Sequence, residues 1–317
     1  MELSRVKQLS DSIRANVEKV IVGKSNVIDL LLTALYANGH VLLEDVPGTG
    51  KTMLAKSLAR SLDADFGRIQ FTPDLLPSDV TGLNYFNQKE GEFRFRKGPV
   101  FTNILLADEI NRATPRTQSS LLECMEEKQV TIDGETMALS RPFLVIATQN
   151  PVETAGTFPL PEAQLDRFLM QIPMGYPNEE EELAILNRFA AANPLASLAP
   201  VCSGETLLEV QESISEVYVH PLVMSYLVHI AEATRNHGQI ALGVSPRGSI
   251  AFLRCVKAYA ALSGLTYATP DMVKYLAPFC LAHRLVLRAS YQQGGSASDY
   301  IRDILNQVPV PTEDFSR

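Results

Sequence analysis

The sequence predicts an α/β fold, a parallel sheet covered by helices and followed by an all-helical unit, on three observations. The apolar stretch Val41-Leu42-Leu43 runs directly into Asp45-Val-Pro-Gly-Thr-Gly-Lys-Thr52, a strand feeding a glycine-containing loop that opens a helix. Short apolar runs alternate with helical periodicity through the first half of the chain, as expected for strands joined by crossover helices. After the break Pro173-Met-Gly-Tyr-Pro-Asn178, strand-like runs almost vanish.

Taken in order, Met1 to Lys19 mixes charged and apolar residues without a signal-peptide core, so a cytoplasmic protein is expected. Val41–Leu43 is the first strand. Behind the loop, Met53, Leu54, Leu58 and Leu62 form a helical apolar stripe. Further strands are expected at Arg68–Phe71, Asn103–Ala107, Phe143–Thr148 and Phe168–Ile172. Ile104–Ala107 and Phe143–Ile146 are apolar without alternation, which marks strands covered on both faces. Two hairpins interrupt the pattern. Val130–Met137 carries an Asp-Gly pair between alternating residues, and Tyr85–Phe95 places Phe93 and Phe95 on one face with Arg94 and Arg96 on the other. Beyond residue 178 the stripes Leu207/Val210/Ile214/Val217, Leu222/Tyr226/Ile230, Ile250/Leu253/Val256 and Met272/Leu276/Phe279 predict packed helices, with Asn193–Gly204 as an internal loop. The expected units are 1–175, with hairpin insertions near 85–96 and 129–139, and 178–317.

Composition narrows the function. The 317 residues, 46% hydrophobic and 20% charged, are enough for two domains with a buried core, and no apolar run is long enough to span a bilayer. The four cysteines stand far apart with no CxxC pair, so neither zinc nor a disulfide framework is indicated. A net charge of −8 argues against a general nucleic-acid coat.

The loop offers a cradle for phosphate. Backbone N–H groups along Val46, Pro47, Gly48, Thr49, Gly50 and into Met53, with the positive end of a helix dipole, suit an anion; proline contributes shape but no donor. Lys51 would reach the terminal phosphates and the Thr52 hydroxyl would hold magnesium. Asp45 stands where the motif usually has glycine, leaving Gly48 and Gly50 to take unusual backbone angles. Asp108 and Glu109 end a buried strand on the edge where this loop emerges. There Asp108 can act on magnesium through its water shell, beside Thr52, and Glu109 can polarise an attacking water.

Thr148-Gln149-Asn150 ends another strand, where the Asn150 amide could bond the γ-phosphate or merely begin a turn before Pro151. Arg167, just before the last strand, could neutralise charge on a transferring phosphoryl group or pair with Asp166 or Glu162. Ser245-Pro246-Arg247 opens a helix with a cation opposed to the helix dipole. A phosphate ligand or a solvated arginine both account for it. Arg112 and Arg116, around Thr114-Pro115, face either a neighbour's nucleotide or water.

In this order the motifs resemble those of the AAA+ ATPases. More narrowly, LLEDVPGTGKT at 42–52, LLADEINRATPRTQSSLLECMEE at 105–127, ATQNP at 147–151, LPEAQLDRF at 160–168 and GVSPRG at 243–248 resemble the MoxR family, as do AHRLVL at 282–287 and PVP at 309–311. The resemblance implies an αβα parallel-sheet domain with a C-terminal helical lid, ATP and Mg2+ as ligands, and a homo-oligomeric ring, a hexamer. It implies Lys51 and Thr52 as Walker A, Asp108 and Glu109 as Walker B, Asn150 as sensor 1, Arg167 as a finger acting on the adjacent subunit and Arg247 as sensor 2. Val22 and Gly23 would line the adenine, and Gln70 could restrain Glu109. The two hairpins would face the ring's pore or its clients, and a partner with a von Willebrand factor A domain is implied. Nucleotide binding is expected to survive Asp45.

The expected function is Mg-dependent ATP hydrolysis that moves lid and hairpins to remodel or mature a protein client, with ATP bridging Lys51, Arg247 and the next subunit's Arg167. Two alternatives stand beside it. One is a non-hydrolysing nucleotide-dependent scaffold, against which Asp108 and Glu109 count. The other is a DNA-stimulated motor, suggested by Phe93-Arg-Phe-Arg-Lys97, a segment that also reads as an amphipathic strand with a solvated basic face.

Overall fold

The computed structural model of the chain describes residues 2–44, 48–150, 156–191, 194–288, 295–312 and 315. Asp45, Val46, Pro47 and Pro151 lie outside them. The first half runs α1 (Leu3–Glu18), α2 (Ser25–Tyr36), β1 (Val41–Glu44), α3 (Lys51–Ser61), β2 (Phe66–Gln70), α4 (Pro77–Thr81), β3 (Gly82–Asn87), β4 (Glu92–Lys97), β5 (Ile104–Asp108), α5 (Pro115–Glu127), β6 (Gln129–Ile132), β7 (Glu135–Ala138), β8 (Leu144–Gln149), α6 (Glu162–Leu165) and β9 (Met170–Pro173).

Five strands form one parallel sheet in the order β2-β5-β8-β1-β9. The two-residue period of a strand distributes its side chains between two cores. Val41, Leu43, Ile104, Leu106, Leu144 and Ile146 point into one, and Leu42, Leu105, Ala107, Val145 and Ala147 into the other. The unbroken apolar runs in the sequence are therefore central strands with both faces buried. Strand β2 begins at Phe66, two residues before the expected Arg68, because Phe66 and Gly67 already pair with Ile104 and Leu105. Gly67 and the exposed Arg68 hid that start from an apolar count.

Both hairpins form. Asp133 and Gly134 carry φ of 50° and 86° between β6 and β7, the two positive angles a tight two-residue turn needs. β3 and β4 pair from Gly82↔Lys97 to Asn87↔Glu92 and stand outside the main sheet.

The second half runs α7 (Glu179–Ala191), α8 (Gly204–Ser213), α9 (Pro221–Arg235), β10 (Ile240–Leu242), α10 (Pro246–Leu262), α11 (Pro270–Leu281), β11 (Val286–Leu287) and α12 (Ala297–Gln307). The expected stripe through Val217 is broken: α8 stops at Ser213 and Ile214–Glu216 is a 3-10 turn. The helical half does not stand apart from the sheet. Helix α10 packs on α1 and α2, and the side chains of α9, α10 and α11 share one core with β1 and β8. Among the described residues no helix is long and apolar enough to cross a membrane. The four cysteines are buried and unbridged.

Candidate functional site

The carboxyl ends of the strands gather most of the expected site. Gly48 and Gly50 take φ of 89° and 90°, a region that disfavours any Cβ, and no described atom lies within 4 Å of where a Cβ would sit. Gly48 and Gly50 thus stand in open space just before α3, whose first residues are Lys51, Thr52 and Met53. A helix start presents backbone N–H groups to the space in front of it, so the described residues fit a polyphosphate. Glu44, at the end of β1, is part-buried, and burial pushes its carboxyl up despite hydrogen bonds with Gln149 and Gln171.

Asp108 closes β5 opposite Gln70. Its Oδ1 accepts from the Thr148 hydroxyl at 2.8 Å, and its Oδ2 pairs with Arg68 Nη2 at 2.7 Å. Glu109 leaves the strand at φ 55°, ψ 51°, a left-handed turn that costs an L-residue about 1 kcal/mol or more. Its backbone N–H donates to the Thr148 hydroxyl oxygen at 2.8 Å. Its Oε2 accepts from Gln70 Nε2 at 2.8 Å and pairs with Arg112 Nη1 at 3.1 Å. Asn150 follows β8 on the same edge, while Arg116 is exposed in the first turn of α5. Arg68 and Thr148 were missed in the sequence. Period-two spacing puts Arg68 on the same side as Gln70, to whose Oε1 it donates at 2.9 Å.

The expected donors, one carboxylate, Asp108, and the Thr52 hydroxyl, would suit one hydrated divalent ion and not a protein cage; no described group of three His, Cys, Asp or Glu could hold a metal. Val22 and Gly23 precede Lys24, whose ammonium donates to the carbonyls of Met174 at 2.9 Å and Gly175 at 3.1 Å. That places them past the end of β9, on the side of the sheet where the loop emerges.

Arg167 and Arg247 lie elsewhere. Arg167 precedes β9, and Leu169 N–H donates to the carbonyl of His40, the residue before β1. Its partner is neither Asp166 nor Glu162. Arg167 Nε pairs with Glu126 Oε2 at 3.2 Å, and Arg247 Nη1 with Glu126 Oε1 at 3.1 Å. Asp166 pairs instead with the buried Arg284 at 2.9 Å. Both arginines therefore sit at the amino ends of the strands, across a sheet roughly 13 Å deep for four residues from their own Lys51. The expected meeting of Arg247 with Lys51 over one nucleotide is not seen in this arrangement, where Arg247 pairs with Glu126 instead. Helix α10 is held on α1 and α2, and its cap Ser245 lies beside the approach to β9, its hydroxyl donating to Asp166 Oδ2 at 3.4 Å.

An open cleft of about 1080 Å3 occupies this edge, lined by Glu126, Lys128, Arg141, Arg167, Arg247 and Arg254 among others. Burial, then the charges of Arg254 and Arg141, push the Lys128 amine down to about 8. Beneath it, buried His40 accepts the Val145 N–H at Nδ1 (3.0 Å), so its proton sits on Nε2, which donates to the Met125 carbonyl at 3.0 Å. Burial holds this imidazole down to about 4.

Comparison with known proteins agrees with this architecture. Residues 40–170 match the ATPase family associated with various cellular activities (AAA), and residues 232–304 match the AAA lid domain. The chain is 43% identical to Chaperone MoxR1 of Mycobacterium tuberculosis over 86% of its own length and 74% of that protein's. It is 30% identical to Protein MoxR of Methylorubrum extorquens over 93% of each. The crystal structure of an ATPase candidate from Cytophaga hutchinsonii superposes with a TM-score of 0.91 at 40% identity, covering 98% of this chain and 97% of the other.

Proposed function

The chain belongs to the MoxR family of AAA+ ATPases, and from that membership we propose that it hydrolyses ATP with magnesium to remodel or mature a protein client, as a cytoplasmic homo-oligomeric ring, a hexamer. The observation that supports the reading is that Gly48 and Gly50, after β1, and Gln70, Asp108, Glu109 and Asn150, at or just past the ends of β2, β5 and β8, follow parallel strands out of the same edge of the sheet. Lys51 orients the terminal phosphates, and Val22 and Gly23 border the base. Magnesium, when bound through Thr52 and by way of water through Asp108, would neutralise charge on the transferring phosphoryl group. Glu109 takes a proton from the attacking water, and its bonds to Gln70 and Arg112 hold it back until a nucleotide rearranges them. Asn150 hydrogen-bonds the terminal phosphate or the water. Arg167 and Arg247, at the amino edge, serve the nucleotide of the next copy.

The β3–β4 hairpin supports a protein client over DNA. Phe93 is 73% exposed and Phe86 51%, packed edge to face on each other at 5.4 Å. Arg94 spends its charge on Glu90 at 2.5 Å and Glu92 at 3.5 Å, so the hairpin offers apolar surface more than phosphate-binding charge. In this reading a partner with a von Willebrand factor A domain presents the client. The test is steady-state phosphate release with nucleotide binding measured in parallel. Glu109→Gln should keep ATP and lose most turnover, and Lys51→Ala should lose binding. Wild-type turnover in Glu109→Gln would remove Glu109 from the chemistry, and unaltered affinity in Lys51→Ala would remove it from the phosphate site.

A further inference from the structure

Resting on the reading of Arg167 and Arg247 as the pair presented to a neighbour's phosphates, we propose that Glu126 is a positioning residue that sets both arginines at once. Each oxygen of this carboxylate serves one guanidinium, Oε2 the Arg167 Nε at 3.2 Å and Oε1 the Arg247 Nη1 at 3.1 Å. The three residues come from three separate elements: the end of α5, the approach to β9 and the first turn of α10. Without an anion between them, two guanidinium groups in one cleft repel and splay. With it, they are drawn to one point.

The carboxylate is itself anchored. Its neighbour Met125 offers its carbonyl to His40 Nε2, whose Nδ1 accepts the Val145 N–H. The His40 carbonyl accepts the Leu169 N–H at 2.8 Å, two residues beyond Arg167. One residue thus ties the backbone under Glu126 to the backbone under Arg167. On the lid side, the Ser245 hydroxyl oxygen caps α10 through the Gly248 N–H at 3.0 Å. Arg167 meets Glu126 through Nε, the nitrogen nearest its stem, and the edge between the two terminal nitrogens is a separate face of the guanidinium. That is the part of the side chain a phosphate would take. Glu126 reaches the reaction only through the arginines, and its charge also joins lid to sheet.

The test is steady-state ATPase of the full chain with magnesium, comparing Glu126→Gln, Glu126→Asp, Arg167→Ala and Arg247→Ala, with thermal unfolding of each. Glu126→Gln should lower kcat on the order of tenfold and leave KM for ATP within about twofold, because it removes no group that binds ATP and alters only how the arginines are aimed at the transferring phosphoryl group. Glu126→Asp, which keeps the charge, should recover part of the loss. Unfolding should hardly change, since both ion pairs are a third to half exposed. Wild-type kcat in Glu126→Gln, while the two arginine variants lose turnover, overturns the proposal and leaves the arginine reading intact. So does an equal loss in Gln and Asp variants accompanied by a lowered Tm, which would make Glu126 a structural brace. Wild-type turnover in both arginine variants overturns the underlying reading instead.

Discussion

At the residue scale, the carboxyl edge is governed by which cation sits on Asp108. Arg68 supplies one at 2.7 Å, and its side chain is 45% exposed, so the pair contributes little to stability but competes for the carboxylate. Arg68→Gln should therefore lower the magnesium concentration for half-maximal ATPase by about two- to fivefold, read from a magnesium titration. An unchanged midpoint would mean Arg68 and the ion do not compete. His40 carries a different expectation. Its folded pKa, about 4, lies below the unfolded value of about 6.5, so the folded state binds fewer protons. Its contribution is complete above about pH 6.5, is lost as the pH falls, and levels off below about pH 4. Chemical denaturation should show about 3 kcal/mol lost from this group across that window, and His40→Gln should flatten the profile there. The strand-end positions of Asp108, Glu109 and Asn150 were legible because each closes an apolar run within a few residues. Glu126 was not, since its meeting with residues 41 and 121 positions further on depends on α5 crossing back over the sheet.

At the element scale, local rules served where the element is local. The Asp133-Gly134 turn announced its hairpin, and the five strand runs foretold the sheet. Gly134→Ala should cost about 1 kcal/mol by placing a Cβ at φ 86°, measured as a shift in the unfolding midpoint. The strand start at Phe66 and the end of α8 at Ser213 escaped because pairing with β5 and packing against α2 set them, and apolar spacing does not see either. The β3–β4 hairpin lends no strand to the sheet. Phe93→Ala should thus leave basal ATPase and global stability within about 1 kcal/mol, and a larger loss would show that the hairpin props the fold.

At the scale of the whole molecule, the two edges of the sheet cannot meet within one copy, so the proposed site is complete only between copies. Specific activity should fall on dilution as copies separate, in step with apparent mass. Mixing tests the placement of each arginine. Glu109→Gln subunits mixed with Arg167→Ala subunits should regain activity, and so should Glu109→Gln with Arg247→Ala, because each pair can build one intact site. Recovery with Arg167→Ala alone would return Arg247 to its own chain's nucleotide. On the proposed reading, the four-residue β1 between these two edges would also make self-association directional: a copy would have a front and a back, and fronts would bind backs. Contacts of that kind either close on themselves or continue without limit. A copy spoiled on one side would still be recruited by the other, so a chain that lacks its arginines would silence the neighbour it serves while its own site stayed whole.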